Sequence, residues 1–276
     1  MTGEVWMGYL VDHHTEYTVA QSPFVLDGVR VFGADSDATT LAIAAVLHRL
    51  QHDNIGLVTV PEGMDAATVA AACNLAVWDD ASDAEAEWDL LLSDEAIVVL
   101  ARRDAEVELF EMDVAVEVDE PFHRAMEEAW RDELSLQHVS QGAYVSQAQY
   151  EEAARPRLFL QGQVSDEKAV WPPRFSSTSN LADSSRVRLK PSGRVLSWTT
   201  LSAAGAPSEF ALRAPLLGGV CTVLLALDDG PNGVFLVVDD EDAEAFMDAP
   251  VELVVRRIYG QEGFIRYGLK ARLIVA

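Results

Sequence analysis

Ser192-Gly193-Arg194-Val195-Leu196-Ser197-Trp198-Thr199 opens a series of strand-like segments, and that series decides the fold of the C-terminal half. The segments are Gly193–Leu201, Leu217–Leu227, Val234–Val238, Val251–Ile258 and Phe264–Val275. Each is rich in Val, Ile, Leu or aromatic residues and is bounded by turn formers. Asp228-Asp229-Gly230-Pro231-Asn232-Gly233 is a turn cluster between the second and third segments. Glu241–Met247 is expected to form one short helix between the third and fourth. Five strands with a helix in that place predict a small barrel of the OB type.

Upstream the chain alternates between strand and helix signals. Val5–Leu10 reads as a short strand, and Asp35 or Ser36 as the cap of a helix reaching about Leu50. Ile43, Val46, Leu47 and Leu50 form its apolar stripe. Ile55–Val60 follows as a strand, then an alanine-rich helix from Asp65 to about Trp78, and an acidic loop over Asp79–Glu87. Ala96–Ala101 reads as a buried strand, Val107–Val118 as an alternating one, and Pro121–Leu134 and Gln147–Ala154 as helices. Such alternation makes the first half α/β. The expected division is an α/β domain over 1–150, a polar connecting segment over 151–190 and an all-β barrel over 191–276.

The 276 residues carry 45 acidic and 20 basic side chains, a net charge of −25, with 49% hydrophobic content. A chain this apolar is globular. Its self-repulsion needs screening, and at molar salt the Debye length falls to about 3 Å. Scarce lysine (Lys168, Lys190 and Lys270) against abundant Asp and Glu reads as adaptation to a salt-saturated cytoplasm, that of a halophilic archaeon. The same balance argues against a nucleic-acid partner, which needs clustered cations. No run is long enough to span a bilayer and the N-terminus lacks a basic signal start, so the expectation is a cytoplasmic protein without a membrane partner. Cys73 and Cys221 sit in apolar stretches and read as buried free thiols.

Further words carry the pattern on both sides of that octet: Arg157-Leu158-Phe159-Leu160-Gln161 and Trp171-Pro172-Pro173-Arg174 upstream, Pro250-Val251-Glu252-Leu253-Val254 and Gly263-Phe264-Ile265-Arg266-Tyr267-Gly268-Leu269-Lys270 downstream. With the opening octet they make the C-terminal half resemble the acyl-CoA-associated zinc-ribbon/OB-fold family known as domain of unknown function 35. The resemblance implies a zinc ribbon over 151–190. Where its cysteines would stand, this chain has Gln163, Asp166, Ser177 and Asn180. Amides and hydroxyls hold zinc poorly, so the ribbon is degenerate and zinc is not expected there.

Ala34-Asp35-Ser36-Asp37-Ala38-Thr39-Thr40-Leu41-Ala42 and Ile55-Gly56-Leu57-Val58-Thr59-Val60-Pro61-Glu62 resemble the hydroxymethylglutaryl-CoA synthase branch of the thiolase superfamily. The resemblance implies a truncated thiolase-like domain with Glu62 as a remnant acid/base. The nucleophilic-cysteine segment and the histidine motif of that family have no counterpart here.

Acyl transfer through an enzyme thioester requires a thiolate, an acid/base group and oxyanion donors together. Glu62 alone cannot supply them, and Cys73 in an apolar helix is held as a thiol. His13-His14 beside Asp12, and His48 with His52 at i,i+4 spacing, are the metal-like groupings. Arg49 occupies the position where a metalloprotease helix needs its glutamate, so the four read as surface histidines.

Arg157, Arg174, Arg186, Arg188 and Lys190, with Trp171 and Trp198, form a basic and aromatic island on an acidic chain. Such an island suits the phosphates and adenine of coenzyme A or an acidic partner; pairing with the chain's own acids is the bland alternative. The resembled families imply a non-catalytic accessory subunit of an acyl-CoA-processing complex, docked to a thiolase-superfamily subunit, with coenzyme A as ligand and no resident cofactor. Self-association stays open. The alternatives are a divergent acyl-CoA transferase or lyase using Glu62, and an OB-fold nucleic-acid binder, for which the aromatic and basic residues are too dispersed.

Overall fold

The computed structural model describes residues 3–78, 86–109, 112–136, 157–165, 168–171, 185–241 and 244–274. The chain divides into two compact units, Met1–Ala125 and Met126–Ala276. The break falls ahead of the boundary expected near residue 150.

The first unit begins with an antiparallel meander: β1 (Glu4–Trp6), β2 (Tyr9–His13) and β3 (Tyr17–Gln21). The expected single strand Val5–Leu10 is therefore two strands around a tight turn. Met7 and Gly8 both take positive φ, 54° and 84°, which matches the twist of a two-residue hairpin. A methionine in the left-handed region is what hid the turn from sequence reasoning. β4 (Phe24–Leu26) and β5 (Val29–Arg30) form a second hairpin about Asp27-Gly28.

α1 (Ala38–Arg49) is capped by Asp37, one or two residues beyond the expected cap. The Asp37 carboxylate accepts from the Thr40 N–H at 3.0 Å while the Thr40 hydroxyl accepts from the Asp37 N–H at 2.9 Å. This reciprocal pair satisfies two of the helix's orphan donors. Every residue of α1 is buried, so it is a core helix wrapped by its unit and not an amphipathic one lying on a surface.

β6 (Leu57–Thr59) leads to α2 (Ala66–Cys73), capped by Asp65. Asn74 in the left-handed conformation ends α2 early, and β7 (Ala76–Trp78) follows where helix was expected. β8 (Trp88–Leu92) and β9 (Ile97–Arg102) complete a seven-stranded mixed sheet in the order β1-β2-β3-β9-β8-β6-β7. Only the β8–β6 and β6–β7 pairs are parallel.

Tyr17, Val19, Ile97, Val99 and Ala101 form a buried cluster on the sheet, with Ala105 and Val107 packed against it. Leu91 and Leu92 remain exposed. The expected strand over Val107–Val118 is reduced to β10 (Val116–Glu117), paired in parallel with β4. Arg30, 3% exposed, explains the rest: its guanidinium donates to the carbonyls of Met112 (2.6 Å) and Val114 (3.2 Å), which a strand partner would otherwise take.

α3 (Glu120–Ser135) runs across the boundary between units. In the second unit, β11 (Gln161–Ser165) pairs antiparallel with β12 (Lys168–Val170) and with β13 (Ser185–Arg188). β14 (Ser192–Leu201), β15 (Val220–Leu227), β16 (Asn232–Val237), β17 (Pro250–Gln261) and β18 (Phe264–Leu273) then close a barrel in the order β14-β15-β16-β18-β17. β17 returns to pair with β14, and only β16–β18 is parallel. This is a five-stranded Greek-key barrel of the expected kind, closed through short stretches of pairing between β14 and β17 and between β16 and β18. The described residues of Glu241–Met247 form no helix; Asp248 at φ 60° and Pro250 set the chain into β17 instead. The expected helix Gln147–Ala154 lies outside the described residues.

Inside the second unit Arg213, 1% exposed, is held on every side. It donates to Glu133 Oε1 (2.9 Å), Asp239 Oδ2 (3.1 Å) and the Ile258 carbonyl (2.6 Å), and its plane lies 3.8 Å from the Trp130 ring centre. Glu133 also accepts the Gly260 N–H at 3.3 Å, and a Cβ at Gly260 would meet the Leu134 nitrogen at 3.2 Å. The absence of a side chain there lets β17 approach α3. Burial pushes the Glu133 carboxyl above its usual range, against the pull of Arg213.

Two predictions follow from these contacts. Arg213→Ala leaves Glu133 buried without its cation, so the second unit should lose about 3–5 kcal/mol of stability in urea unfolding at fixed salt. In the first unit, burial raises the Asp89 pKa, but hydrogen bonds from Arg103 and Thr59 outweigh it and the group titrates below the ordinary range. A carboxyl depressed in the folded state stabilises above its unfolded pKa of about 3.9 and loses that contribution as pH falls further. Asp89→Asn should therefore cost stability at neutral pH, and the gap from the parent should narrow as pH drops below about 4.

Candidate functional site

Among the described residues of the basic island, Arg186 and Arg188 lie on the small sheet and Trp198 on the barrel, and the structure engages several of them. Arg188, exposed on β13, sets its guanidinium 4.6 Å from the Phe159 ring centre. Arg157 is exposed at the start of the turn before β11. Lys190 is exposed, yet its ammonium lies 3.9 Å from Asp229 and its backbone N–H donates to Asp229 Oδ2 at 2.6 Å. The bland pairing with the chain's own acids thus holds at Lys190. Arg186 pairs in register with Gln163 across β13 and β11. Arg174, Asp166, Ser177 and Asn180 lie outside the described residues.

The two tryptophans have different surroundings. Trp171 stacks on Phe235 of β16 with ring centres 5.2 Å apart and planes 23° from parallel. One of its faces is therefore spent on packing. Gly233 makes room for the stack, because a Cβ there would sit 2.5 Å from Phe235 and 3.2 Å from Trp171. Trp198 on β14 is 44% exposed, in register with Val223 of β15. Of the two, Trp198 keeps more surface for an aromatic ligand.

Glu62 is exposed in the turn that follows β6, and Cys73 is buried at the far end of α2. The eight-residue helix, about 12 Å long, runs between them. Cys221 is a free thiol, half-buried on β15, so the expectation of full burial held only for Cys73.

The sequence reading missed a constellation in the first unit. His13 on β2 comes together with His48 and His52 at the end of α1, with one ligand nitrogen from each within 4.8 Å of the others. The expectation of surface histidines fails at His48, which is 3% exposed. Its Nε2 contacts Glu4 Oε1, while its Nδ1 has no hydrogen-bond partner. His13 Nδ1 lies 3.2 Å from Thr18 Oγ1. Burial, then Arg49, then the neighbouring rings lower the His13 pKa to about 4, so that imidazole is neutral at physiological pH. His14 is engaged separately, with Asp12 at 2.9 Å and stacked on Tyr17. The i,i+4 spacing of His48 and His52 was the one visible signal; His13 joins them only through the fold.

No protein-family model matches the sequence. No curated protein matches it either. Among solved structures, a chain described as "Ltp2-ChsH2(DUF35) aldolase" is similar: 17% identical, matched over 48% of this chain and 99% of that one, with a TM-score of 0.34. So low a score assigns neither fold nor residue roles to this chain. No helix among the described residues is long and apolar enough to cross a membrane.

The Trp171–Phe235 stack gives a stability prediction. Gly233→Ala should force the two rings apart and cost about 1–3 kcal/mol, read by thermal unfolding alongside the near-ultraviolet signal of the tryptophans.

Proposed function

We propose that this chain is a non-catalytic accessory subunit of an acyl-CoA-processing assembly of the thiolase or hydroxymethylglutaryl-CoA synthase type, in a halophilic archaeon. The observation that carries the reading is a closed five-stranded barrel preceded by a small sheet on which the first former cysteine position is Gln163. A barrel of this kind is a binding platform. The residue-by-residue resemblance of its strands to the zinc-ribbon/OB family supplies the acyl-CoA context and the thiolase-superfamily partner. Glu62, exposed and at the opposite end of α2 from Cys73, is poorly placed to run thioester chemistry with it. Coenzyme A would engage the exposed guanidinium of Arg188 and the open surface of Trp198.

The acidic surface fits a cell interior at molar potassium, so assembly belongs in that salt. Mixed with the thiolase-superfamily enzyme of the same cell in molar KCl, the chain should co-elute with it as one stoichiometric species in light scattering. Loss of acyl-CoA affinity in Arg188→Glu or Trp198→Ala, measured by calorimetry on that complex, would locate the ligand. A chain that stays separate from such enzymes, or that turns over a thioester alone, would overturn the reading.

A further inference from the structure

We propose that His13, His48 and His52 form a binding site for a divalent transition cation of the zinc class, held by three imidazole nitrogens with the remaining position open to solvent. The site lies wholly in the first unit, and its residues are remote in sequence from the degenerate ribbon.

The geometry is near what such an ion needs. Zinc–imidazole bonds are about 2.0–2.1 Å, so tetrahedral ligand nitrogens stand about 3.4 Å apart. Here they lie within 4.8 Å of one another, and their ring centres are 4.4 Å (His13–His52), 5.2 Å (His48–His52) and 5.4 Å (His13–His48) apart. Closing the difference requires the exposed His52 ring to swing toward the other two. His52 is fixed in the turn after α1, its N–H donating to the Arg49 carbonyl at 2.9 Å.

Two of the three rings are already oriented as metal ligands are. A ligating histidine characteristically donates its other ring N–H to a carboxylate, hydroxyl or carbonyl, which fixes the tautomer and raises the basicity of the free nitrogen. With Nε2–H donating to Glu4, the His48 Nδ1 keeps a bare lone pair inside the unit, where no protein group satisfies it. An orphaned acceptor on a 3% exposed residue is costly unless something occupies it. With Nδ1–H donating to Thr18 Oγ1, the His13 Nε2 lone pair faces Arg49 Nη1 at 3.5 Å, a long contact that a bound cation would displace.

The local charge is mixed, with a guanidinium opposed by two carboxylates. Arg49 brings one positive charge, with Nη1 3.5 Å from His13 Nε2, but Asp53 holds that guanidinium at 2.6 Å. Glu4 adds a second carboxylate beside His48. The C-terminal end of α1 contributes its partial negative charge, since His48 lies in the last helical turn. Three imidazoles without a thiolate select the borderline ions zinc, copper, nickel and cobalt over magnesium or calcium.

The test uses the untagged full chain, stripped with chelator in molar KCl and titrated with Co²⁺ under optical detection, then with Zn²⁺ in calorimetry. The expected result is one ion per chain, with ligand-field bands of four- or five-coordinate cobalt. His13→Ala and His52→Ala change partly exposed rings and should keep the fold by circular dichroism, yet lower affinity by roughly 100-fold or more. His14→Ala, one residue from the site and paired to Asp12, should bind as the parent does. Weak binding at several sites that is unchanged in the histidine variants would mean scattered carboxylates and would overturn the proposal, as would no spectral change at all. Because the readout is metal affinity, failure here leaves the accessory-subunit reading untouched, and failure of that reading leaves this site standing.

Discussion

A guanidinium at 1% exposure is tolerable only when every face of it is answered, and Arg213 shows what that demands of the second unit. Its carboxylate partners come from α3 (Glu133) and from the segment after β16 (Asp239), its carbonyl partner from β17, and its flat face rests on Trp130. Lys270 of β18 shares Asp239 at 2.8 Å. The helix, three parts of the barrel and the irregular segment preceding β15 thus converge on one charge. Buried pairs of this type are weak evidence for net stability, because desolvation opposes the attraction. What they impose is uniqueness: any other seating of α3 would strand an ion in the interior.

The first unit repeats the device. Arg49 ends α1 with its guanidinium over Trp88 and its donors on the carbonyls of His14 and Thr15, which tie the helix to the β2–β3 turn. Arg30 does the same for the irregular chain ahead of β10. Arg30, Arg49, Arg213, Arg256, Arg266 and Lys270 are all buried, so six of the chain's 20 basic residues are withdrawn from solvent among the described residues alone. The outer surface is accordingly more acidic than the net charge of −25 suggests. Screening by salt then acts on a shell whose own cations have been taken inward.

The barrel was legible because its signals are local. Period-two alternation and turn clusters between strands fix each segment within a few residues, and closure follows from having five strands to pair. The helix expected over Glu241–Met247 is absent from its described residues, and Asp248 just beyond adopts a left-handed conformation that no propensity announces. The first unit was harder. Met7 and Asn74 break elements where sequence shows continuous apolar character, and the alternation over 107–118 gives way to carbonyls captured by Arg30. Long-range chemistry was invisible: Glu133 and Arg213 are 80 positions apart, and His13 is 35 positions from His48. Of the expected island, Trp171 turned out to be committed to Phe235, whereas Trp198 kept its surface.

The seven-stranded sheet terminates on both sides in three-residue strands, β1 and β7. A neighbouring molecule adding itself to either border would gain only a few backbone bonds, too few to hold a foreign strand in place. Fibrillar stacking of one molecule on the next is discouraged at its first step by that shortness. That brevity is a safeguard against polymerisation that does not depend on surface charge.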